Sequence, residues 1–396
     1  MPLDAKLCET IDAAIDAEAD ALRKLSLDIH AHPELRFEET RASGWIAELV
    51  AARGYAVERG LAGMPTSLRA RAGKAGGARL AILAEYDALP EIGHACGHNL
   101  IAAGGVGAFL GAAKVAEACG VEVVLLGTPA EEGGGGKIKM IEAGVFEGVD
   151  AAMMFHPFDR DLLAHVALAS TWLQFEFHGK PAHAAVSPHT GSSALTACMD
   201  TFRLVDGQRV HFRDGVRVHG FVTNGGQAVN IVPERAACEI SVRAKDGAEL
   251  ERVKAIVTRC ARAAAMASDV RLEVAERKGY RDLVNNMALA RAFGGHLEAL
   301  GRAPRETDET VGAGSTDMGD VSHVVPSIHP WLAVVDEGAA QVHEHAFAAA
   351  ARTPRALDAM LCVAKAMART AIDAGTSQAL LRAAKDEWAG AASPRR

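Results

Sequence analysis

The sequence predicts an α/β protein whose main domain is interrupted by a smaller α+β insert. Three observations carry that expectation. Two apolar runs, 79–84 and 121–127, flank an Ala- and Gly-rich helical stretch at 98–118, the strand–helix–strand order of an open α/β sheet. At Thr171 the texture changes to clean alternation, Trp172-Leu173-Gln174-Phe175-Glu176-Phe177, as in a half-buried antiparallel strand. After about Lys278 the helical and apolar texture returns. The expected boundaries are 1–169 and 280–396 for the two parts of the main domain and 170–279 for the insert.

Taken in order, residues 9–28 and 38–53 place apolar side chains at helical spacing, with charged residues on the other faces. Pro33 marks His30-Ala31-His32-Pro33-Glu34 as a loop between them. The strand at 79–84, the helix at 98–118 and the strand at 121–127 follow. Residues 85–98 and 128–132 then fall at strand C-termini, where open α/β sheets place ligands. The insert reads as strand 172–177, helix 192–205, strands near 216–222 and 235–243, helix 247–266 and strand 269–275. That β-α-β-β-α-β order is the ferredoxin-like plan.

The 396 residues suffice for two cores, and the formal charge of −8 argues against a nucleic-acid partner. Cysteines 8, 96, 119, 198, 238, 260 and 362 have no framework spacing and are odd in number, which suits a reducing compartment. The start of the chain is acidic and lacks an apolar signal core. No run reaches the roughly 20 apolar residues of a membrane span. A soluble, cytoplasmic protein with no membrane partner is expected.

The chemistry concentrates at element boundaries. Asp87, His94, Cys96 and His98 follow the first apolar run within about a dozen residues. Cys and His two apart, on a turn leaving a strand, have the chemistry of metal ligands. A buried cysteine behaving as a small hydrophobe is the plain alternative. Asp87 suits the carboxylate that orients an imidazole, and His94 suits a turn residue. Glu131-Glu132 ends the second run. One carboxylate fits a metal ligand and its neighbour a base for water, although paired Glu also complements a helix dipole. His156 gains weight only beside the others, and His183 reads equally as a surface-turn histidine. Gly133-Gly134-Gly135-Gly136-Lys137 fails as a phosphate loop, because Glu131 and Ile138 stand where Gly and Ser or Thr are needed. Gly105-Val106-Gly107 fails as a dinucleotide fingerprint.

Together these residues resemble the metallopeptidase family of aminoacylase, carboxypeptidase G and the indole-acetyl-amino-acid hydrolases. The resemblance runs nearly full length. It includes His32-Pro33-Glu34-Leu35 with Phe37-Glu38-Glu39, Asp87-Ala88-Leu89-Pro90, Ala95-Cys96-Gly97-His98-Asn99 and Glu131-Glu132-Gly133. Further on come Gly179-Lys180-Pro181-Ala182-His183-Ala184, Gly191-Ser192-Ser193-Ala194-Leu195, Asn230-Ile231-Val232-Pro233 and Ser315-Thr316-Asp317-Met318-Gly319-Asp320-Val321-Ser322. Glu85-Tyr86-Asp87, His98-Asn99 and the Ser315–Ser322 stretch look most like the aminobenzoyl-glutamate hydrolase branch, which includes dipeptidases related to β-alanyl-lysine dipeptidase.

The resemblance implies a metal-dependent exopeptidase-like catalytic domain, a mixed sheet flanked by helices, with the insert serving as lid and dimerisation domain. It implies two divalent ions per protomer, zinc or manganese with cobalt a further option. Cys96, His98, Glu132, His156 and His343 look like their ligands. His343 is followed four residues later by Phe347, and His345 is its rival. Glu131 looks like the general base. His183 looks like a residue that reaches a partner subunit's site in a homodimer. Asn230 and Arg243 match substrate-binding positions. The implied reaction is hydrolysis of a small N-acyl amino acid or dipeptide, such as an aminobenzoyl-glutamate-like amide. Other readings are an aminohydrolase or auxin-conjugate hydrolase acting on an aromatic substrate, and a non-catalytic binding relative.

Overall fold

The structure, a computed structural model, describes residues 3–392. The first helical run is two helices rather than one. α1 (Ala5–Ala17) and α2 (Ala19–Ala31) meet at Glu18, which leaves regular helical geometry at φ −98°, ψ 0°. The break lets Ile11 and Ile15 of one helix and Leu22, Leu25 and Ile29 of the other bury in one core. No Pro or Gly marks it in the sequence. α2 continues through His30 and stops at His32, because the residue before Pro33 is pushed out of the helical region. The carboxylate of Glu34 then caps α3 (Thr40–Ala52), accepting from the Arg41 and Ala42 amides and the Thr40 hydroxyl.

Next come β1 (Val57–Arg59), β2 (Leu68–Gly73), β3 (Arg79–Ala84), α4 (His98–Cys119), β4 (Glu122–Gly127), α5 (Gly136–Glu142), β5 (Ala151–Met153) and β6 (His156–Phe158). α4 is the central helix, packed on α1, α2, β3 and β4. Its small residues permit close approach. A Cβ on Gly105 would meet the Leu83 carbonyl oxygen at 2.8 Å, and one on Gly111 would meet Ile15 at 2.6 Å. By length and hydropathy α4 would suit a membrane crossing, yet it is buried inside the protein.

The stretch after residue 168 forms β7 (Ala169–His178), α6 (Ala194–Gln208), β8 (Arg217–Asn224), β9 (Arg235–Ala244), α7 (Gly247–Ala267) and β10 (Arg271–Lys278). These strands make an antiparallel sheet in the order β10-β7-β9-β8. Leu173, Phe175, Phe177 and Ile240 bury against Val253 and Val257 of α7 in a core of their own. β8 is an edge strand, with Phe221 and Val222 exposed.

The chain returns as α8 (Met287–Ala299), α9 (Met318–Ser322), β11 (Ser327–Ile328), β12 (Trp331–Ala333), α10 (His345–Ala350), α11 (Pro354–Thr376) and α12 (Gln378–Ala392). β11 joins the first sheet, whose order is β1-β2-β4-β3-β5-β11. β3, β4, β5 and β11 run parallel there, while β2 pairs antiparallel with both β4 and the edge strand β1. β12 pairs with β6. Residues on both sides of the inserted stretch share one core. The seven cysteines are all free.

Candidate metal centre

The parallel strands β3 and β4 deliver their C-terminal residues to one place. Beyond β3 the chain reaches Asp87, buried and connected on both carboxylate oxygens. Oδ2 accepts the Glu132 backbone N–H at 2.8 Å, and Oδ1 lies 3.2 Å from His98 Nδ1. The same imidazole nitrogen lies 2.8 Å from the Asp87 carbonyl oxygen. A carbonyl only accepts, so Nδ1 carries the hydrogen and Nε2 of His98 points the other way. His156 is held alike, with Nδ1 donating to the Pro157 carbonyl at 2.8 Å. Burial, with His98 adding, pulls the His156 pKa down to about 4, which keeps the ring neutral.

Gly97, at φ +75°, turns the chain between Cys96 and the first residue of α4. A Cβ there would meet Pro157 at 2.5 Å, so a side chain has no room. Cys96 Sγ then lies 3.4 Å from His156 Nε2 and 3.5 Å from His343 Nε2. Glu132 Oε1 is 3.6 Å from His343 Nε2 and 3.9 Å from His98 Nε2. His343 sits at φ +69°, tied by its amide to the Ala95 carbonyl at 2.8 Å. Its imidazole lines the cavity rim, whereas His345 opens α10 away from the cavity lining.

Three groups of donor atoms therefore converge: Cys96 with His98 and His156, Cys96 with Glu132 and His343, and His98 with Glu131 and Glu132, each within 4.8 Å. Buried His98 Nε2 and Glu132 Oε1 have no hydrogen-bond partner. Orphaned buried donors and acceptors of this kind are costly unless something else engages them. Burial opposes charge on His98, but Glu85 and Asp87 outweigh it and favour a positive charge at the ring. Burial, reinforced by Glu132, pushes the Cys96 thiol up, so a thiolate there needs a cation beside it. The residues fit a metal site of mixed sulfur, nitrogen and oxygen donors.

Glu131 occupies the turn after β4. Its backbone carbonyl accepts the Tyr280 hydroxyl hydrogen, and that hydroxyl oxygen accepts the Gly133 N–H at 2.9 Å. Burial first, then Glu85, Glu132 and Asp317, raises its carboxyl well above the usual carboxylate range. Tyr280 escaped the sequence reading. So did a fully buried ion cluster in which Lys137 Nζ lies 2.6 Å from both Glu85 Oε2 and Asp317 Oδ1. The lysine that fails as a phosphate-loop residue thus holds the Gly-rich segment to the floor of the site.

A cavity of about 540 Å³ opens over these groups. Trp172, Trp331 and His165 form an aromatic wall, with the Trp331 and His165 ring centroids 4.0 Å apart. Arg243 of β9 also lines the cavity, its Nη1 3.5 Å from Ser315 Oγ. His183 and Asn230 lie elsewhere. Both are exposed and adjacent, the Ala184 amide donating to the Asn230 carbonyl at 3.0 Å. His183 Nδ1 accepts the Ala185 and Val186 amides. Neither residue lines the cavity of its own chain.

An open α/β sheet with candidate metal-ligating side chains gathered at its parallel strand ends is an arrangement that suits a metal-dependent hydrolase. Residues 81–372 match the profile of peptidase family M20/M25/M40. The chain belongs to that family and is a metal-dependent peptidase or amidohydrolase acting on C–N bonds. It is 37% identical to Xaa-Arg dipeptidase of Mus musculus, over 94% of this chain and 90% of that one. It is 29% identical to one of the p-aminobenzoyl-glutamate hydrolase subunits of Escherichia coli K12, over 95% and 94% of the two chains. Among solved structures, a dinuclear metal binding peptidase of the M20 family from Bacillus subtilis shares the fold. Its TM-score is 0.70 at 20% identity, covering 91% of this chain and 99% of that one.

Proposed function

We propose that this protein hydrolyses the amide bond of a small N-acyl amino acid or dipeptide at a two-metal centre held by Cys96, His98, Glu132, His156 and His343. The carrying observation is the convergence of those donors, two of them orphaned, beside a buried Glu131 that is not among the five ligands. Divalent ions held by these residues would polarise an amide carbonyl and lower the pKa of water. Glu131, buried beside the five donors and lining the cavity, is placed to hold the proton of an attacking water and pass it to the leaving nitrogen. Asp87 fixes the ring of His98 throughout. Arg243 pairs with a substrate carboxylate, and the aromatic wall of Trp172 and Trp331 suits a planar or apolar acyl group.

His183 and Asn230 serve a second copy of the chain. Their exposed loop and the free edge of β8 suit a homodimer in which each insert completes its partner's site and steadies the oxyanion. The ions are zinc or manganese, with cobalt a further option. The reading is tested by turnover of metal-reconstituted protein on N-acyl amino acids and dipeptides, including aminobenzoyl-glutamate, with a chelated control. Chelator-sensitive release of an amino acid is expected. Full metal loading without amine release across the panel would overturn it.

A further inference from the structure

Residues 32–39 carry part of the sequence resemblance, yet none of them is a candidate ligand or base. We propose that Glu39 is a positioning residue, whose buried carboxyl holds the turn bearing Glu131 and Glu132 in register with the other ligands; this rests on the hydrolase reading above.

Glu39 is fully buried at the start of α3. Its Oε1 accepts two backbone amides, Phe37 N–H at 2.8 Å and Ala130 N–H at 2.9 Å. Its Oε2 accepts the Thr66 hydroxyl at 2.9 Å. Both amide donors sit in the left-handed region, Phe37 at φ +66° and Ala130 at φ +62°. Residues with a Cβ persist there only where the surroundings over-determine them. Ala130 immediately precedes Glu131, so its dihedral angles set the direction in which Glu131 and Glu132 leave β4.

The rest of the segment grips the same turns. Arg36 Nη1 donates to the Glu132 carbonyl at 3.1 Å. The Ala88 amide, next to Asp87, donates to the Glu34 carbonyl at 2.8 Å. A strap spanning six residues thus touches both strand-end turns that carry the centre, and Glu39 is its buried anchor. Its two bonds to Phe37 and Ala130 share one oxygen. A glutamine can therefore supply both and still face Thr66, whose hydroxyl can accept as well as donate.

The test compares Glu39→Gln with Glu39→Met in the full chain. It reads melting temperature, Mn²⁺ and Zn²⁺ affinity by chelator competition, and kcat and KM on the substrate the amide panel establishes. Glu39→Gln is expected to stay within about threefold of wild type. Glu39→Met is expected to lose about tenfold to a hundredfold in metal affinity and in kcat, with KM little changed, as for other residues that orient ligands. Metal affinity and kcat within about threefold of wild type in folded Glu39→Met would overturn the proposal, as would equal losses in Glu39→Gln. Should Glu39→Met not fold, Glu39→Asp takes its place, withdrawing the carboxyl by one methylene from the Phe37 and Ala130 amides while keeping its charge. Metal affinity and kcat within about threefold of wild type in Glu39→Asp would then overturn the proposal. If wild-type protein binds metal but cleaves no amide, the hydrolase reading fails and the affinity measurements still decide the role of Glu39.

Discussion

The backbone N–H of Glu132 donates to Oδ2 of Asp87 at 2.8 Å. Because the other Asp87 oxygen faces His98, one buried carboxylate couples the turn after β4 to the first residue of α4. Two candidate ligands from separate strands are thereby fixed relative to each other before any ion arrives. Burial alone would raise the Asp87 pKa, but His98 and the Glu132 amide outweigh it and hold it below the usual value. Asp87→Ala is expected to weaken divalent-metal affinity by about tenfold to a hundredfold. Asp87→Asn should fall between it and wild type. Chelator competition measures both, and an Asp87→Ala protein with wild-type affinity would refute the coupling.

Glu131→Gln keeps the shape of the turn and removes the proton acceptor. Metal content by elemental analysis should match wild type, while kcat drops by a factor on the order of 10² to 10⁴. Appreciable residual turnover would move the base elsewhere.

His183→Ala should fold with an unchanged melting temperature, since the side chain is exposed and bonds only its own loop. Its kcat should fall by roughly 10² or more if the imidazole steadies an oxyanion. Mixing it with Glu131→Gln separates donation in trans from action within one chain. In randomly reassorted two-fold dimers, half are mixed and each has one intact site, so about a quarter of wild-type activity should return. No recovery after confirmed protomer exchange would place His183 outside the partner's site.

Glu39 makes stability depend on pH. Burial first, with the charge of Asp87 adding, raises its carboxyl to about 7 from 4.5 against its three hydrogen-bond donors. The folded state thus holds the proton more tightly than the unfolded chain. The contribution is complete below about pH 4.5, declines as pH rises and is gone above about 7. A shift of that size corresponds to on the order of 3 kcal/mol. Wild type and Glu39→Gln, unfolded in urea at several pH values, should differ in stability with this slope between pH 4.5 and 7. Parallel profiles would show that folding leaves the Glu39 carboxyl unshifted.

Lys137→Met leaves Glu85 and Asp317 buried without their shared cation. Breaking such a cluster typically costs about 3–5 kcal/mol. A melting temperature close to wild type would mean that one carboxyl takes up a proton at little cost.

The parts of this site that were legible in the sequence are those whose chemistry is rare. Cys96, His98 and the Glu131–Glu132 pair stand at the ends of apolar runs, where few other roles explain them. The ring of His343 required the resemblance, since nothing local separates it from His345. The supporting groups were hidden for a physical reason. Lys137 meets Glu85 and Asp317 across 52 and 180 positions, and Tyr280 reaches Glu131 across 149. Such pairings exist only after folding, and a buried Lys or Glu looks in sequence like a surface one. The same holds for Glu39, read as part of a helix start, and for the break at Glu18, which no Gly or Pro announces. β2 alternates as Leu68-Arg69-Ala70-Arg71-Ala72, a strand pattern present in the sequence whose apolar positions are partly the small residue Ala.

The close packing of α4 has an evolutionary meaning. Gly105 is pressed against the Leu83 backbone of β3, so even one added methyl there would push the helix, and His98 at its head, away from the sheet, while a methyl on Gly111 would press on Ile15 of α1. Substitutions in this scaffold should therefore cost more beneath the candidate ligands than at the rim. Val311, Gly312, Gly314 and Ser315 border the cavity from a segment without regular secondary structure, and Cβ atoms on Gly312 or Gly314 would meet nothing. Laboratory selection for new substrates should accumulate its changes along that rim and leave α4 untouched.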